Sequence, residues 1–182
     1  MTATLEPAVS AAATPATAPE PEAAPRRLII IAYSGDLERT WATMILASTA
    51  AASGVECKVF VTFWGLLTFV KDQRRITGTN WMQKMLSFMQ RPGISHRKLS
   101  KMNFLGLGPW MMRRLAKQYQ AASPKELLQA AQALGVEFLP CQMTMDMFGL
   151  KREDLIEGLG ETVGAASVIP LLTEPNTGTL FI

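Results

Sequence analysis

The sequence predicts an α/β fold: a mainly parallel sheet of four to five strands with a helical, Met-rich basic insert. Two observations carry that prediction. Arg27-Leu-Ile-Ile-Ile-Ala-Tyr33 is a continuous apolar run, the pattern of a strand covered on both faces rather than the alternation of a half-wetted one. A helix-period stretch and a second apolar run, Glu56 to Thr62, follow it. Strand, helix and strand in that order close as a right-handed parallel crossover.

The elements follow in order. Residues 1–25 are mostly Ala, Pro, Thr and Glu, with too little apolar surface to offset ordering entropy, and read as a disordered tail. The folded domain is expected over 26–182. After the first strand, Ser34-Gly35-Asp36 makes a turn in which Ser34 or Asp36 can cap a helix. Leu37 to Ser53 is Ala-rich with apolar residues near helical spacing, and Gly54 ends it. Phe63 to Asp72 is expected to be helical. Residues 73–122 form an insert of different character: Trp81, Met82, Met85, Leu86 and Met89 share a helical face, Phe104 to Trp110 breaks the pattern, and Met111 to Tyr119 is helical again. Ser123-Pro-Lys-Glu126 is a capping box with Pro at the first helical position, opening a helix to Gly135. Val136 to Leu139 is a further strand. Lys151–Leu159 and Thr162–Leu172 read as helices and Thr179–Ile182 as a terminal strand. There is no internal repeat.

Composition narrows the function. A chain of 182 residues holds one domain with a sizeable core. Between Lys71 and Ala122 stand eleven basic residues and one acid, Asp72, a local charge of +10 against +3 for the whole chain. That asymmetry points to an acidic protein, a membrane surface or nucleic acid as partner. The aromatic interleaving of a single-strand nucleic-acid platform is thin, so no nucleic acid is expected. Two cysteines make no disulfide framework. The apolar run Val59–Val70 is interrupted and too short to span a bilayer, and residues 1–25 lack the apolar stretch of a secretory signal. A soluble protein of the reducing cytoplasm is expected. Neither GxGxxG nor GxxxxGK[ST] occurs. His96 is the only histidine, which leaves a histidine-based metal centre or a Cys–His dyad weakly supported, and no metal or cofactor is expected.

Cys141 is the candidate catalytic residue. It stands directly after Pro140 at the end of an apolar run and before a helix start, where α/β proteins gather ligands. It has two readings. One is a small buried apolar residue. The other is a nucleophile or sulfur carrier, its thiolate favoured by N–H groups of the following helix by about 0.3–1 kcal/mol, with Asp146 opposing if close. Cys57 lies at the opposite end of its strand, more than about 10 Å away along parallel strands, whereas a disulfide needs Cα atoms within about 7 Å; Cys57 reads as structural. Met143, Met145 and Met147 are either core packing or a soft lining for a sulfur-bearing group. The candidate substrate-binding residues are Gln142, Met143 and Thr144, which follow the cysteine, and Ser34 and Gly35, whose backbone N–H groups can face an anionic sulfur species. The basic insert reads as a docking surface.

Tyr33-Ser-Gly-Asp-Leu37, Thr62-Phe-Trp-Gly-Leu66, Leu99-Ser-Lys-Met-Asn103 with Gly106 and Gly108, Cys141-Gln-Met-Thr-Met-Asp146 with Gly149, and the ending Leu180-Phe-Ile182 together resemble the DsrE/DsrF-like sulfurtransferase family. The resembled branch carries a long Met-rich insert and is often labelled peroxiredoxin-like. The likeness covers about Arg27 to Ile182. It implies a three-layer α/β/α fold and a homo-oligomer. It also implies a cysteine, matched here by Cys141, that carries sulfane sulfur as a persulfide and exchanges it with TusA-type or rhodanese-type carriers. The peroxiredoxin label implies peroxide chemistry, yet no Thr-x-x-Cys motif occurs. The expected function is a sulfur relay on Cys141, fed by a donor persulfide or thiosulfate. The alternatives are a non-catalytic docking module for a membrane or protein complex, and a thiol peroxidase.

Overall fold

In a computed structural model the chain is described over residues 26–72, 81–83, 85, 92–101 and 103–182. The expected tail, 1–25, lies outside the described residues, as do Leu86 and Met89 of the expected helical face, while Trp81, Met82 and Met85 are helical. Four strands, β1 (Arg27–Ala32), β2 (Glu56–Val61), β3 (Glu137–Pro140) and β4 (Thr177–Phe181), form one sheet in the order β3-β2-β1-β4. Every pairing is parallel: β1 runs beside β2 with Ile30 opposite Val59, and beside β4 with Ile30 opposite Leu180, while β3 lies against β2 with Phe138 opposite Val59.

Helices cover both faces, and side-chain parity shows how. Ile30, Ala32, Val59, Val61 and Phe138 point to one side and pack with Met44 and Ala47 of α1 (Leu37–Ala52), beside a second helix whose Leu128 and Ala131 join the same cluster. On the opposite parity, Phe60, Leu139 and Cys141 meet Val168, with Ile31, Leu171 and Leu172 around them. The sheet is therefore the middle of three layers, and among the described residues the second face is covered by one helix. Fully covering a side chain such as Phe138 or Val59 contributes about 1.5–3 kcal/mol.

Further helices are α2 (Phe63–Leu66), α3 (Leu107–Gln118), α4 (Pro124–Ala133), α5 (Gln142–Phe148) and α6 (Ala165–Thr173). The capping box that opens α4 is present: Ser123 Oγ accepts from the Glu126 N–H and the Glu126 carboxylate accepts from the Ser123 N–H. Asp36 occupies the N-cap position of α1, yet neither it nor Ser34 caps the helix through its side chain. Ser34 Oγ instead donates to the Asp36 carboxylate and accepts from the Asp36 N–H. The Leu37 N–H donates to the Lys98 carbonyl at 2.8 Å. The returning end of the insert thus supplies the acceptor that a capping side chain would.

Three expected helices are shorter in the structure, each because backbone pairing competes for the same residues. Phe63–Asp72 is helical only through α2 and a 3₁₀ turn at Leu67–Phe69, because Val70 forms an antiparallel bridge with Leu155. Lys151–Leu159 contributes only a 3₁₀ turn at Arg152–Asp154; Leu155 is taken by that bridge, Gly158 has φ +74° and the Gly160 N–H donates to Phe138 O. The Thr162–Leu172 helix starts at Ala165 because Val163 adds to the sheet beside Cys141.

Two outcomes test this architecture. A Cβ on Gly65 would stand 2.3 Å from the Ala32 carbonyl oxygen, backbone that cannot move aside, so Gly65→Ala should lower unfolding stability by about 1–3 kcal/mol or more, read by urea denaturation. Burial pushes the Cys57 thiol up to about 11. Its contribution is therefore full below the ordinary cysteine value and is lost as pH rises toward 11. Between pH 9 and 11 the wild type should lose more stability than Cys57→Ala, as the difference between their urea midpoints.

Candidate functional site

The site is built where β2 and β3 end. Pro140 has no N–H to donate, but its carbonyl accepts from Val163, and the Cys141 N–H continues the ladder to Val61 O at 3.0 Å. The backbone then turns, with Cys141 as the N-cap residue of α5. One strand over, Thr62 follows β2 with extended backbone, and Phe63 comes next with φ +45°, a left-handed conformation that non-glycine residues rarely adopt. That turn aims the Phe63 N–H at Thr144 Oγ1, 3.1 Å away.

Thr144 is fully buried and stands 3.0 Å from the Thr62 hydroxyl. Both hydroxyls face Cys141, as do the N–H groups of Thr144 and Met143. The neutral thiol makes no cap hydrogen bond, but a thiolate accepts from such donors strongly. Burial pushes the Cys141 thiol up, and the Thr144 hydroxyl and N–H, the Thr62 hydroxyl and the Met143 N–H together outweigh it, holding the group below the ordinary cysteine value. The 3.0 Å contact between the two hydroxyls uses one of their two protons, so with Thr62 donating to Thr144 Oγ1 the Thr144 proton is left to point at sulfur. These donors matter more than a helix macrodipole, since α5 has only seven residues.

The thiol is also covered. Cys141 is 3% exposed, enclosed by Phe60, Leu139 and Val168. The rim beside it is apolar and open: Met143 is 57% exposed and Phe63 41%, and Trp64 stacks on Phe148 with ring centroids 5.4 Å apart. From the insert, Gln83 Nε2 donates to Met147 O at 3.0 Å.

The other expected residues fall as follows. Thr144 and the Met143 backbone meet the sulfur. The Gln142 amide instead donates to Asp146 Oδ1 at 2.8 Å, which occupies the carboxylate expected to oppose the thiolate. Met145 is buried in the core on the α1 side, whereas Met143 and Met147 turn outward, so the three form no sulfur lining. Ser34 and Gly35 lie at the same sheet edge but beyond β1, two strands from Cys141. Gly35 is packed against the Trp64 carbonyl and the Arg97 guanidinium. The strand order reverses between β1 and β4, the usual ligand crevice of an open sheet. There the Tyr33 and Ser34 N–H groups both donate to Ile182 O, so Ile182 fills the place. Thr62 is the residue beside the thiol that sequence reasoning missed. Its signal was available: it is the last residue of the strand adjoining the cysteine's. Both cysteines are free, and Cys57, level with the start of β3, sits about five residues down the sheet, roughly 16 Å away. Among the described residues, no three His, Cys, Asp or Glu side chains come together as a metal site.

The chain has relatives among known proteins. The chain is 34% identical over 155 residues to the uncharacterized protein YrkE of Bacillus subtilis, covering 85% of this chain and 94% of that one. It is 35% identical over 154 residues to the sulfur carrier protein DsrE2 of Allochromatium vinosum, covering 83% and 95%. The crystal structure of the ychN protein from E. coli superposes with a TM-score of 0.53 at 12% identity, over 86% of this chain and 99% of that one, a likeness of fold. The profile of the DsrE/DsrF/DrsH-like family matches residues 24–180, and the chain belongs to that family.

Proposed function

We propose that the protein is a sulfur carrier that holds sulfane sulfur as a persulfide on Cys141 and passes it between thiol carriers. The observation that carries this reading is the set of donors converging on Cys141, which favours the thiolate in spite of burial. The name of the Allochromatium vinosum relative, a sulfur carrier protein, is consistent with it.

The chemistry is an exchange without net oxidation. The Cys141 thiolate donates an electron pair to the outer sulfur of a donor persulfide R–S–SH. The donor's S–S bond breaks and R–S⁻ leaves with that bond's electron pair. The new Cys141–S–SH gives its outer sulfur to an acceptor thiolate by the reverse step, and Cys141 departs as the thiolate that Thr62 and Thr144 stabilise. A lowered leaving-group pKa speeds the second step. The same donors thus serve both halves of the relay. Partners of TusA or rhodanese type fit this scheme because they present a thiol or persulfide on a protein surface. The exposed rim of Phe63 and Met143 offers such a surface apolar contact. A homo-oligomer in the cytoplasm is part of the same proposal, with Ile169 on α6 and Phe181 on the edge strand β4 as exposed apolar contacts.

Incubation with a low-molecular-weight persulfide should add about 32 Da, one sulfur, to the wild type and to Cys57→Ala. The adduct should be absent from Cys141→Ser; an adduct that persists there overturns the assignment. Thr144→Val removes a hydroxyl that favours the thiolate. Its Cys141 should react with iodoacetamide about ten-fold more slowly at pH 7 and should need higher pH to reach the wild-type rate, while Thr144→Ser restores the profile.

A further inference from the structure

On α3 an apolar stripe faces outward: Leu107, Met111 and Leu115 recur one turn apart, and all three are exposed. The stripe is one wall of an open groove of about 970 Å³. Residues 99–101 and the exposed Phe104, from the chain ahead of the helix, make the other wall, and Trp110 also borders it. The same groove holds two cations. Arg114, one residue before Leu115 and three after Met111, shares the side of the stripe, with its guanidinium 5.8 Å from the Trp110 ring centre. Lys101 belongs to the facing wall. Among the described residues neither cation is ion-paired. Glu38, the acid among the lining residues, already accepts from the Ser100 N–H and hydroxyl.

We propose that this groove receives an acidic amphipathic helix of a partner protein, whose apolar face covers Leu107, Met111 and Leu115 and whose carboxylates meet Arg114 and Lys101. Charge and shape together choose the occupant. Apolar side chains with two unpaired cations among them match an apolar segment that carries acids. The insert of a second copy would set cation against cation, because from Gln73 to Lys125 the chain has no acidic residue. A bilayer surface is flat and would rest on the rims of a two-walled groove, whereas a single helix enters it. The stripe runs about 12 Å along α3, a little over two turns, which suits two or three apolar anchors on one face of a partner helix. A planar guanidinium seated on the Trp110 ring keeps its N–H edge for the two oxygens of a carboxylate. Docking here goes beyond sulfur carriage and makes no use of Cys141, so helix binding and persulfide loading can fail independently.

The probe is a fluorescein-labelled synthetic helix of about 15 residues, with leucines along one face and glutamates flanking them, titrated with the full chain and read by fluorescence anisotropy. It should bind about ten-fold more tightly than the same peptide with Gln for Glu, and less tightly as salt rises. Met111→Gln should weaken binding about ten-fold or more and Arg114→Gln about five-fold. Arg114→Glu should prefer the peptide with Lys for Glu. Lys117 does not line the groove, so Lys117→Gln should change the affinity by less than about two-fold. These side chains are exposed, so the melting curves of the variants should match the wild type. No binding of the probe, equal affinity for the Glu and Gln peptides, equal losses in Arg114→Gln and Lys117→Gln, or an unchanged Met111→Gln each overturns the proposal. So does evidence of another occupant: sedimentation with phosphatidylglycerol vesicles that Met111→Gln abolishes, an oligomer that Met111→Gln breaks up, or tighter probe binding once Glu6, Glu20 and Glu22 are changed to Gln, which would seat the chain's own first residues in the groove.

Discussion

The hydroxyl of Thr144 is the point on which the site depends. It is buried with no water to fall back on, and an unpartnered hydroxyl there costs about 1–3 kcal/mol. It accepts from the Phe63 N–H and lies within hydrogen-bond distance of Thr62, so it locks the start of α5 to the end of β2. That lock fixes where Cys141 lies, because Cys141 is three residues earlier on the same turn and is itself pinned by its N–H to Val61. The strained backbone of Phe63 is held by the same bond. Close packing of Gly65 against the Ala32 carbonyl then fixes the α2 turn to β1. One small polar contact thereby joins three neighbouring strands at their carboxyl ends.

The insert is fastened to this edge by means that are neither apolar nor regular. Arg97 is 3% exposed, and burial lowers its guanidinium to about 10 against the raising effect of Asp36 and Asp72. It donates to Gly93 O at 3.1 Å and lies beside Gly35, while the neighbouring Lys98 carbonyl accepts from the first N–H of α1. A buried cation is costly unless surrounded by acceptors and opposite charge, so this corner holds the chain in one arrangement. The Tyr33-to-Leu37 turn, which the sequence alone presents as a helix cap, is thus a seat for the insert. Ser34 and Gly35 spend their local interactions on that seat.

The sheet was legible because burial on both faces writes itself into sequence: Ile29, Ile30 and Ile31 in succession leave no solvent side for a helix or an edge strand. The α4 capping box was legible because it is local, four residues acting on one another. The short elements between 63 and 72 and between 151 and 163 were not. Val70, Leu155 and Val163 look like helix-compatible apolar residues, and only distant partners across the fold recruit them into bridges. At the site, Cys141 stood out because its position follows from strand and helix boundaries, and Thr144 because it follows in the first helical turn. Thr62 did not, since its role arises from sheet order, which places the end of β2 beside the end of β3.

The cover over Cys141 bears on how such a thiol can exchange sulfur. Thiols and persulfides are readily lost to oxidants and stray thiols, and on the proposed relay the cover of Phe60, Leu139 and Val168 shields the Cys141 sulfur between exchanges. An in-line attack still needs an opening. The layer on that face is one helix deep, and α6 contains Pro170, which lacks the N–H that would bond it to the preceding turn. Shifting it exposes Val168, worth about 1.5–3 kcal/mol when fully wetted, and further wets the half-buried Leu171 and Leu172, which makes spontaneous opening rare. A partner that buries Met143 and Phe63 regains a similar amount of apolar surface. On the proposed relay, docking of a protein carrier assists that opening, whereas a small reagent reaches Cys141 only during the rare spontaneous openings.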